Sequence, residues 1–265
     1  AKWYDSEGNE YADVTAQDFV TSLKYVADNK SDALYLVQNS VAGLDDYVTG
    51  KNTDFSKVGV KAVDDHTLQY TLAQPESFWN SKLTTSTMMP VNEKFLKSAG
   101  KDFGSVKPSG ILYNGPYYLK SFTSKSLMEF TKNENYYDKD NVKIDDIKLT
   151  YFDGSDQDYL ARNFSDGNLT TARLFPTSST FSTIEKKFKD NIVYSPQDAT
   201  VYYVYFNVNR QNYGHTEKTT DDQKNQTKTA LQNKNFRQAI NFALDRTSLS
   251  AQSNGKDGAS KTLRT

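Results

Sequence analysis

A run of β-branched and aromatic residues from Asp198 to Asn209 constrains the fold of this chain more than any other stretch. Val, Tyr and Phe dominate it, which is typical of a β-strand. The run is long enough to leave one packed body and enter another, so we interpret it as a strand that crosses between two bodies. Side chains alternate along a strand, which places Asp198, Thr200 and Tyr202 on one side and Tyr203 and Tyr205 on the other. Tyrosine rings with polar tips suit recognition of a ligand, and a strand inside an ordinary core has a similar composition.

The composition excludes several classes of function. The chain has 265 residues, a formal net charge of −1 and charged side chains of both signs. It is long enough for one large or two modest domains. No charge excess is available to gather nucleic acid or to hold an anionic membrane. The absence of cysteine excludes disulfides, thiolate zinc sites and thiol catalysis.

The two ends of the sequence lead us to expect a fragment of a longer protein. Neither a Met nor a signal-type apolar core is present at Ala1-Lys2-Trp3, and the polar residues from Gly258 to Thr265 contain no closing element. No apolar run approaches the length of a transmembrane helix.

The first hundred residues predict helices around one hairpin. Thr15 followed by Asp18 is a capping-box pattern that begins an amphipathic helix. A second helix is predicted over 32–43 with Leu34, Val37 and Val41 inward. Alternating runs at 58–63 and 67–72 predict a β-hairpin. Short helices are predicted over 75–83 and 91–99, the second ended by Gly100.

Beyond residue 100 the pattern changes toward a sheet. Strands are predicted over 111–119, 127–131, 144–152 and 168–175, with helices beginning at Ser155 (with Asp158 in a capping box) and spanning 180–188 and 230–244. Residues 214–226 are polar and are predicted to be a solvated loop. The fold class is therefore α/β, with mixed sheets and flanking helices.

A catalytic or metal site finds little support in these residues. His66 and His215 are the two histidines, and both fall in polar turns or loops, a poor setting for a catalytic triad. The acids between Asp153 and Asp158 have the wrong spacing for a calcium loop. Asn114-Gly115-Pro116 contains a single glycine and no phosphate-binding pattern. We expect no catalytic residue, no metal and no cofactor.

Six stretches, in one order along the chain, resemble the bacterial extracellular solute-binding proteins of family 5, and among them the streptococcal peptide-binding lipoproteins. They are residues 14–20 (VTAQDFV), 59–68 (GVKAVDDHTL), 114–120 (NGPYYLK), 132–138 (KNENYYD), 203–207 (YVYFN) and 236–246 (FRQAINFALDR). Each is moderately specific by itself. Together they are spread over nearly the whole chain.

The resemblance implies part of a two-lobed fold of the periplasmic-binding-protein type. Residues 1–92 then match most of an extra domain of the first lobe, 93–198 the sheet domain of that lobe, and 199–265 the crossing strand and the start of the second lobe. The rest of the second lobe and the first strands lie outside this sequence.

The resemblance also implies a function. Proteins of this kind are binding components of ABC importers that hold an extended oligopeptide between their lobes and pass it to a membrane permease. The positions that match ligand contacts are Asp198, Thr200, Tyr203, Tyr205, Arg173, Leu174 and Phe175, and Ser31–Tyr35 falls near a ligand-facing aromatic. The implied protein is a monomer on the extracellular face of the cell membrane of a Gram-positive organism, held by a lipid on a preceding segment.

Two other classes of function remain open from the residues. A glycan-binding or adhesive module uses a tyrosine-rich surface in the same way. A hydrolase would need its nucleophile among the many Ser and Thr residues.

Overall fold

The computed structural model describes residues 1–193 and 202–262, with 256–262 described through their backbone alone. The chain forms two compact units, Ala1–Phe152 and Asp153–Thr265. The first unit combines helices with small antiparallel sheets, and the regular elements in the described part of the second are helices. Helix and sheet together agree with the predicted α/β class.

The first unit alternates short strands with helices. Its elements are β1 (Lys2–Tyr4), β2 (Glu10–Asp13), α1 (Ala16–Asp28), α2 (Leu44–Val48), β3 (Val60–Asp64), β4 (Thr67–Tyr70), α3 (Trp79–Lys82), α4 (Glu93–Ala99), β5 (Tyr117–Thr123), β6 (Leu127–Lys132) and β7 (Asp146–Thr150). The strands pair as β1 with β2, β3 with β4, and β5 with β6 and β7 in that order.

The second unit is built from helices and the loops between them. Its elements are α5 (Gln157–Ser165), α6 (Phe181–Lys187), α7 (Asp221–Gln232), α8 (Lys234–Ala243) and α9 (Arg246–Thr262). The backbone of α9 is interrupted at Gly255, where φ is 70° and ψ is 170°.

Helix α1 begins as predicted, and its first turn is tied to β1. The carboxylate of Asp18 accepts hydrogen bonds from the backbone N–H of Thr15 at 2.9 Å and from the indole N–H of Trp3 at 2.9 Å. Trp3 and Asp18 are both buried, at 4% and 5% exposure. One side chain therefore caps the helix and fixes the first strand against it.

The core of the first unit lies between α1, α2 and the β3–β4 hairpin. Leu34, Val37 and Val41 are buried within it, as predicted, together with Leu23 and Leu44. The predicted helix over 32–43 is wrong, because only a short 3-10 turn, Leu34–Leu36, forms there.

Long-range backbone pairing explains that difference. The C=O of Ser40 accepts from Ala73 N–H at 2.8 Å, and the N–H of Ala42 donates to Thr71 C=O at 2.9 Å. Backbone groups that bond to a distant segment are unavailable for the ladder of a helix. Gly43 follows with a φ of 72° and is the N-cap of α2.

The hairpins of the first unit agree with their predictions. β3 pairs antiparallel with β4, and the Asp64 carboxylate accepts from His66 N–H at 2.8 Å in the turn. The three-stranded sheet also forms, although its first strand begins at Tyr117 instead of Ile111. Tyr113 instead makes an isolated bridge to Tyr4, with both N–H···O=C distances at 2.8 Å.

Four local predictions in the second unit are wrong. The cap of α5 is Asp156 rather than Ser155, and 168–175 contains no strand. The polar segment predicted as a loop is helical from Asp221, because Thr220 and Gln223 form a capping box. The helix predicted over 230–244 is divided at Asn233, whose side chain accepts from the N–H groups of Asn235 and Phe236 and begins α8.

The predicted crossing strand is absent from the part that the structure describes. Residues 202–207 have no regular secondary structure, a turn follows at 208–209, and 194–201 lie outside the described residues. A strand requires a neighbouring backbone to satisfy its N–H and C=O groups. No described strand of this chain supplies that neighbour to residues 202–207.

Candidate functional site

The candidate site residues that the structure describes all belong to the second unit. Arg173, Leu174 and Phe175 lie in the loop after α5, and Tyr203 and Tyr205 lie in the irregular run before α7. Asp198 and Thr200 lie outside the described residues.

The tyrosine run presents its rings to solvent. Tyr203 and Tyr205 are 77% and 79% exposed, and Val204 between them is also exposed. The sequence placed Tyr202 on the opposite side of the strand, yet Tyr202 is 94% exposed. Neither side of the run is therefore buried at these three tyrosines in this chain. A contiguous exposed group of large apolar side chains is characteristic of a surface that contacts something else.

The loop 172–180 presents a cation and a ring together. The guanidinium of Arg173 lies over the ring of Phe175 at 4.9 Å from its centroid. Arg173 is exposed, whereas Leu174 and Phe175 are half-buried. The C=O of Phe175 accepts from Ser178 N–H at 3.0 Å, which closes a turn directly after the pair. Such a surface offers hydrogen-bond donors beside an apolar face.

Asp158 holds the second half of this loop. Its Oδ1 accepts from the hydroxyls of Ser178 and Thr180, the latter at 2.8 Å, and its Oδ2 accepts from Ser179 Oγ at 2.8 Å. These hydroxyl hydrogen bonds lower the pKa of Asp158 to about 2. The neighbouring Gln157 accepts from Thr177 Oγ1 at 3.0 Å. Sequence reasoning assigned Asp158 to a helix cap and missed these contacts.

The helix cap belongs to Asp156 instead. Its carboxylate accepts from the backbone N–H of Asp158 at 2.9 Å and pairs with Arg162, which lowers the pKa of Asp156. Two acids at the start of α5 thus have separate tasks. Asp156 caps the N-terminus of the helix, and Asp158 attaches the loop. The sequence does contain a cluster of Ser and Thr about 20 residues after Asp158. No rule of local structure links an acid to hydroxyls at that distance along the chain, so the sequence alone did not predict these contacts.

Tyr35, from the stretch that the resemblance placed near a ligand-facing aromatic, belongs to the first unit. Tyr35 is 73% exposed and lies in the short turn Leu34–Leu36. His66 and His215 are exposed and lie in different units. Within residues 1–193 and 202–262, no group of three or more His, Cys, Asp or Glu side chains is arranged to hold a metal ion. No helix in that same part of the chain is both long and apolar enough to span a membrane.

Comparison with known proteins gives these surfaces a context. Residues 1–263 match the family described as bacterial extracellular solute-binding proteins, family 5 Middle. The chain is 64% identical over 265 residues to the oligopeptide-binding protein SarA of Streptococcus gordonii, covering 100% of this chain and 40% of SarA. It is 62% identical over 264 residues to the oligopeptide-binding protein AliB of Streptococcus pneumoniae, again over 40% of that protein.

Solved structures agree with the sequence relatives. The pheromone receptor PrgZ, described for its mode of peptide binding, superposes with a TM-score of 0.72 at 27% identity, over 96% of this chain and 45% of PrgZ. OppA of Listeria monocytogenes bound to peptide gives a TM-score of 0.60 at 31% identity, over 72% of this chain and 35% of OppA. The chain thus spans 40% of the length of the curated relatives named here.

Proposed function

This chain belongs to family 5 of the bacterial extracellular solute-binding proteins, and on that premise we propose that its whole protein captures extended oligopeptides between two lobes for an ABC importer. The observation that carries the proposal is the identity of 64% to an oligopeptide-binding protein along all 265 residues. The peptide-bound OppA that shares this fold supports the same ligand class.

The exposed aromatic run and the Arg173 loop fit this ligand chemically. A peptide presents the same backbone groups whatever its side chains, so a site that holds the backbone accepts many sequences. Exposed tyrosine rings offer flat apolar contact with a hydroxyl at the edge. We place Tyr203, Tyr205, Arg173, Leu174 and Phe175 at the peptide, and Asp198 and Thr200 with them.

The exposed run from 202 to 207 also fits our proposal that further chain of the whole protein pairs with it. Residues 202–207 lack a strand partner among the described residues and expose their rings. Our proposal is that this run becomes a crossing strand when the remaining chain pairs with it. Residues 1–92 then form the extra domain, 93–198 the sheet domain of the first lobe, and 199–265 the crossing strand and the start of the second lobe.

The proposed setting is the outer face of the cell membrane. The family is extracellular by description. We add that the protein acts as a monomer without catalytic activity or cofactor, that it delivers its peptide to the permease, and that a lipid on a preceding segment anchors it to a Gram-positive cell. A net charge of −1 gives no attraction to nucleic acid.

Isothermal titration of the full-length protein tests the ligand class. Short peptides of unrelated sequence are expected to bind with micromolar or tighter Kd, whereas oligosaccharides of similar mass produce no heat. Heat from oligosaccharides alone would overturn the proposal and favour a glycan-binding module.

A further inference from the structure

The loop that carries Arg173 and Phe175 is attached to the start of α5 through Asp158. Three consecutive hydroxyls, those of Ser178, Ser179 and Thr180, converge on the two carboxylate oxygens of Asp158. A carboxylate accepts hydrogen bonds more strongly than a neutral group. Because each residue of the segment contributes a bond to the same acceptor, the segment has little freedom to rotate.

One turn connects these hydrogen bonds to Arg173 and Phe175, the residues that we place at the peptide. Ser178 donates both its hydroxyl to Asp158 and its N–H to the C=O of Phe175. Arg173 in turn lies over the ring of Phe175. A continuous set of contacts therefore connects the start of α5 to the exposed cation and ring.

A second element limits the loop at Pro176. Gly255, at the break in α9, lies so close that a Cβ atom there would come 3.0 Å from Pro176 Cβ. Its φ of 70° also favours glycine. Residues 178–180 are thus held by Asp158, and Pro176 lies against the backbone of α9 at Gly255.

We propose that Asp158 is a positioning residue for peptide recognition, which holds the Arg173–Phe175 surface in its binding orientation through the hydroxyls of residues 178–180. The inference rests on the proposed function. It assigns to Asp158 a role apart from helix capping, because Asp156 already caps α5. A site held in its binding geometry before the ligand arrives loses less entropy on binding.

The test uses the full-length protein and a peptide that binds it. Asp158→Ala is expected to weaken binding about tenfold, mainly through faster dissociation, since a loosened loop releases ligand more readily. Asp158→Asn keeps one carbonyl oxygen as an acceptor, so its loss is expected to be intermediate. It also replaces the alanine variant if that variant does not fold.

Asp156→Ala is the matched control, since it removes an acid from the same helix start without touching residues 178–180. It is expected to lower Tm and to leave the peptide Kd within about twofold. A purely structural role of Asp158 predicts instead that Asp158→Ala behaves as Asp156→Ala does, with Tm lowered and the Kd unchanged.

A double-mutant cycle with Phe175→Ala gives the decisive readout. If Asp158 acts through the loop, Asp158→Ala weakens binding by less than about twofold once Phe175 is absent. An undiminished tenfold loss in that background overturns the inference. The inference is also overturned if Asp158→Ala has a normal Kd while Phe175→Ala alone weakens binding. In that case the proposed function stands. A full-length protein that binds no peptide overturns both.

Discussion

The buried pair of Trp3 and Asp18 gives a prediction whose size follows from the contacts. Asp18→Ala leaves the indole N–H of a 4% exposed Trp3 without its partner and removes the acceptor for Thr15 N–H. A buried unpaired donor costs about 1–3 kcal/mol. A lost N-terminal cap costs about 1 kcal/mol. We therefore expect the free energy of unfolding of the first unit to fall by about 2–4 kcal/mol.

Tryptophan fluorescence during urea unfolding of this chain measures the effect. Both tryptophans, Trp3 and Trp79, belong to the first unit, so the signal reports that unit alone. With an m-value of about 2 kcal/mol/M, the midpoint should fall by about 1–2 M. The exposed neighbour Gln17 is the matched control, and Gln17→Ala should shift the free energy by less than about 0.5 kcal/mol. Equal midpoints for the two variants would refute the reasoning.

The other predictions concern the second unit and the ligand. In the full-length protein, Tyr203→Ala should weaken peptides of unrelated sequence by a similar factor, about 5- to 100-fold or about 1–3 kcal/mol; an effect on one peptide alone contradicts a backbone-holding role. In the isolated chain, Tyr202→Ala should leave thermal unfolding unchanged because this side chain is 94% exposed, and a large loss of Tm argues that Tyr202 is buried. The isolated 265-residue chain should bind peptides far more weakly than the full-length protein in titration calorimetry, and equal affinities count against a site shared with the remaining chain. Because the pKa of Asp158 is lowered to about 2, its contribution to stability is present above the ordinary carboxyl pKa and is lost as the pH falls from about 4 to about 2. The free energy of unfolding should therefore fall more steeply with pH in this range for the native chain than for Asp158→Asn, and identical curves contradict the assignment.

Local sequence rules succeeded where the structure is local. The capping box at Thr15 and Asp18 and the hairpin around Asp64 depend on residues within a few positions, and both formed as predicted. Burial of Val37 and Val41 was also predicted correctly. Their helix was wrong because Ser40 and Ala42 pair with residues 71–73, which helical periodicity does not report.

Long-range structure limited the prediction of the candidate site. The run from Tyr202 to Phe206 has strand composition, but composition does not supply a partner strand. Asp158 was assigned to a cap because an acid near a helix start usually serves one. Its hydroxyl partners, 20 to 22 residues away, depend on the fold of the loop. The family resemblance depends on the order of six stretches along the chain, and the match of residues 1–263 to the family confirmed it. Single residues did not distinguish a ligand-binding strand from a core strand.

Native mass spectrometry of the full-length protein, purified from its cells without denaturation, tests the central claim most directly. A protein that holds peptides by their backbone should carry a mixture of them, visible as added masses that dissociate and sequence as short oligopeptides. We expect this mixture to be lost from the Tyr203→Ala variant. A protein that is free of peptide and instead carries a glycan would contradict the account.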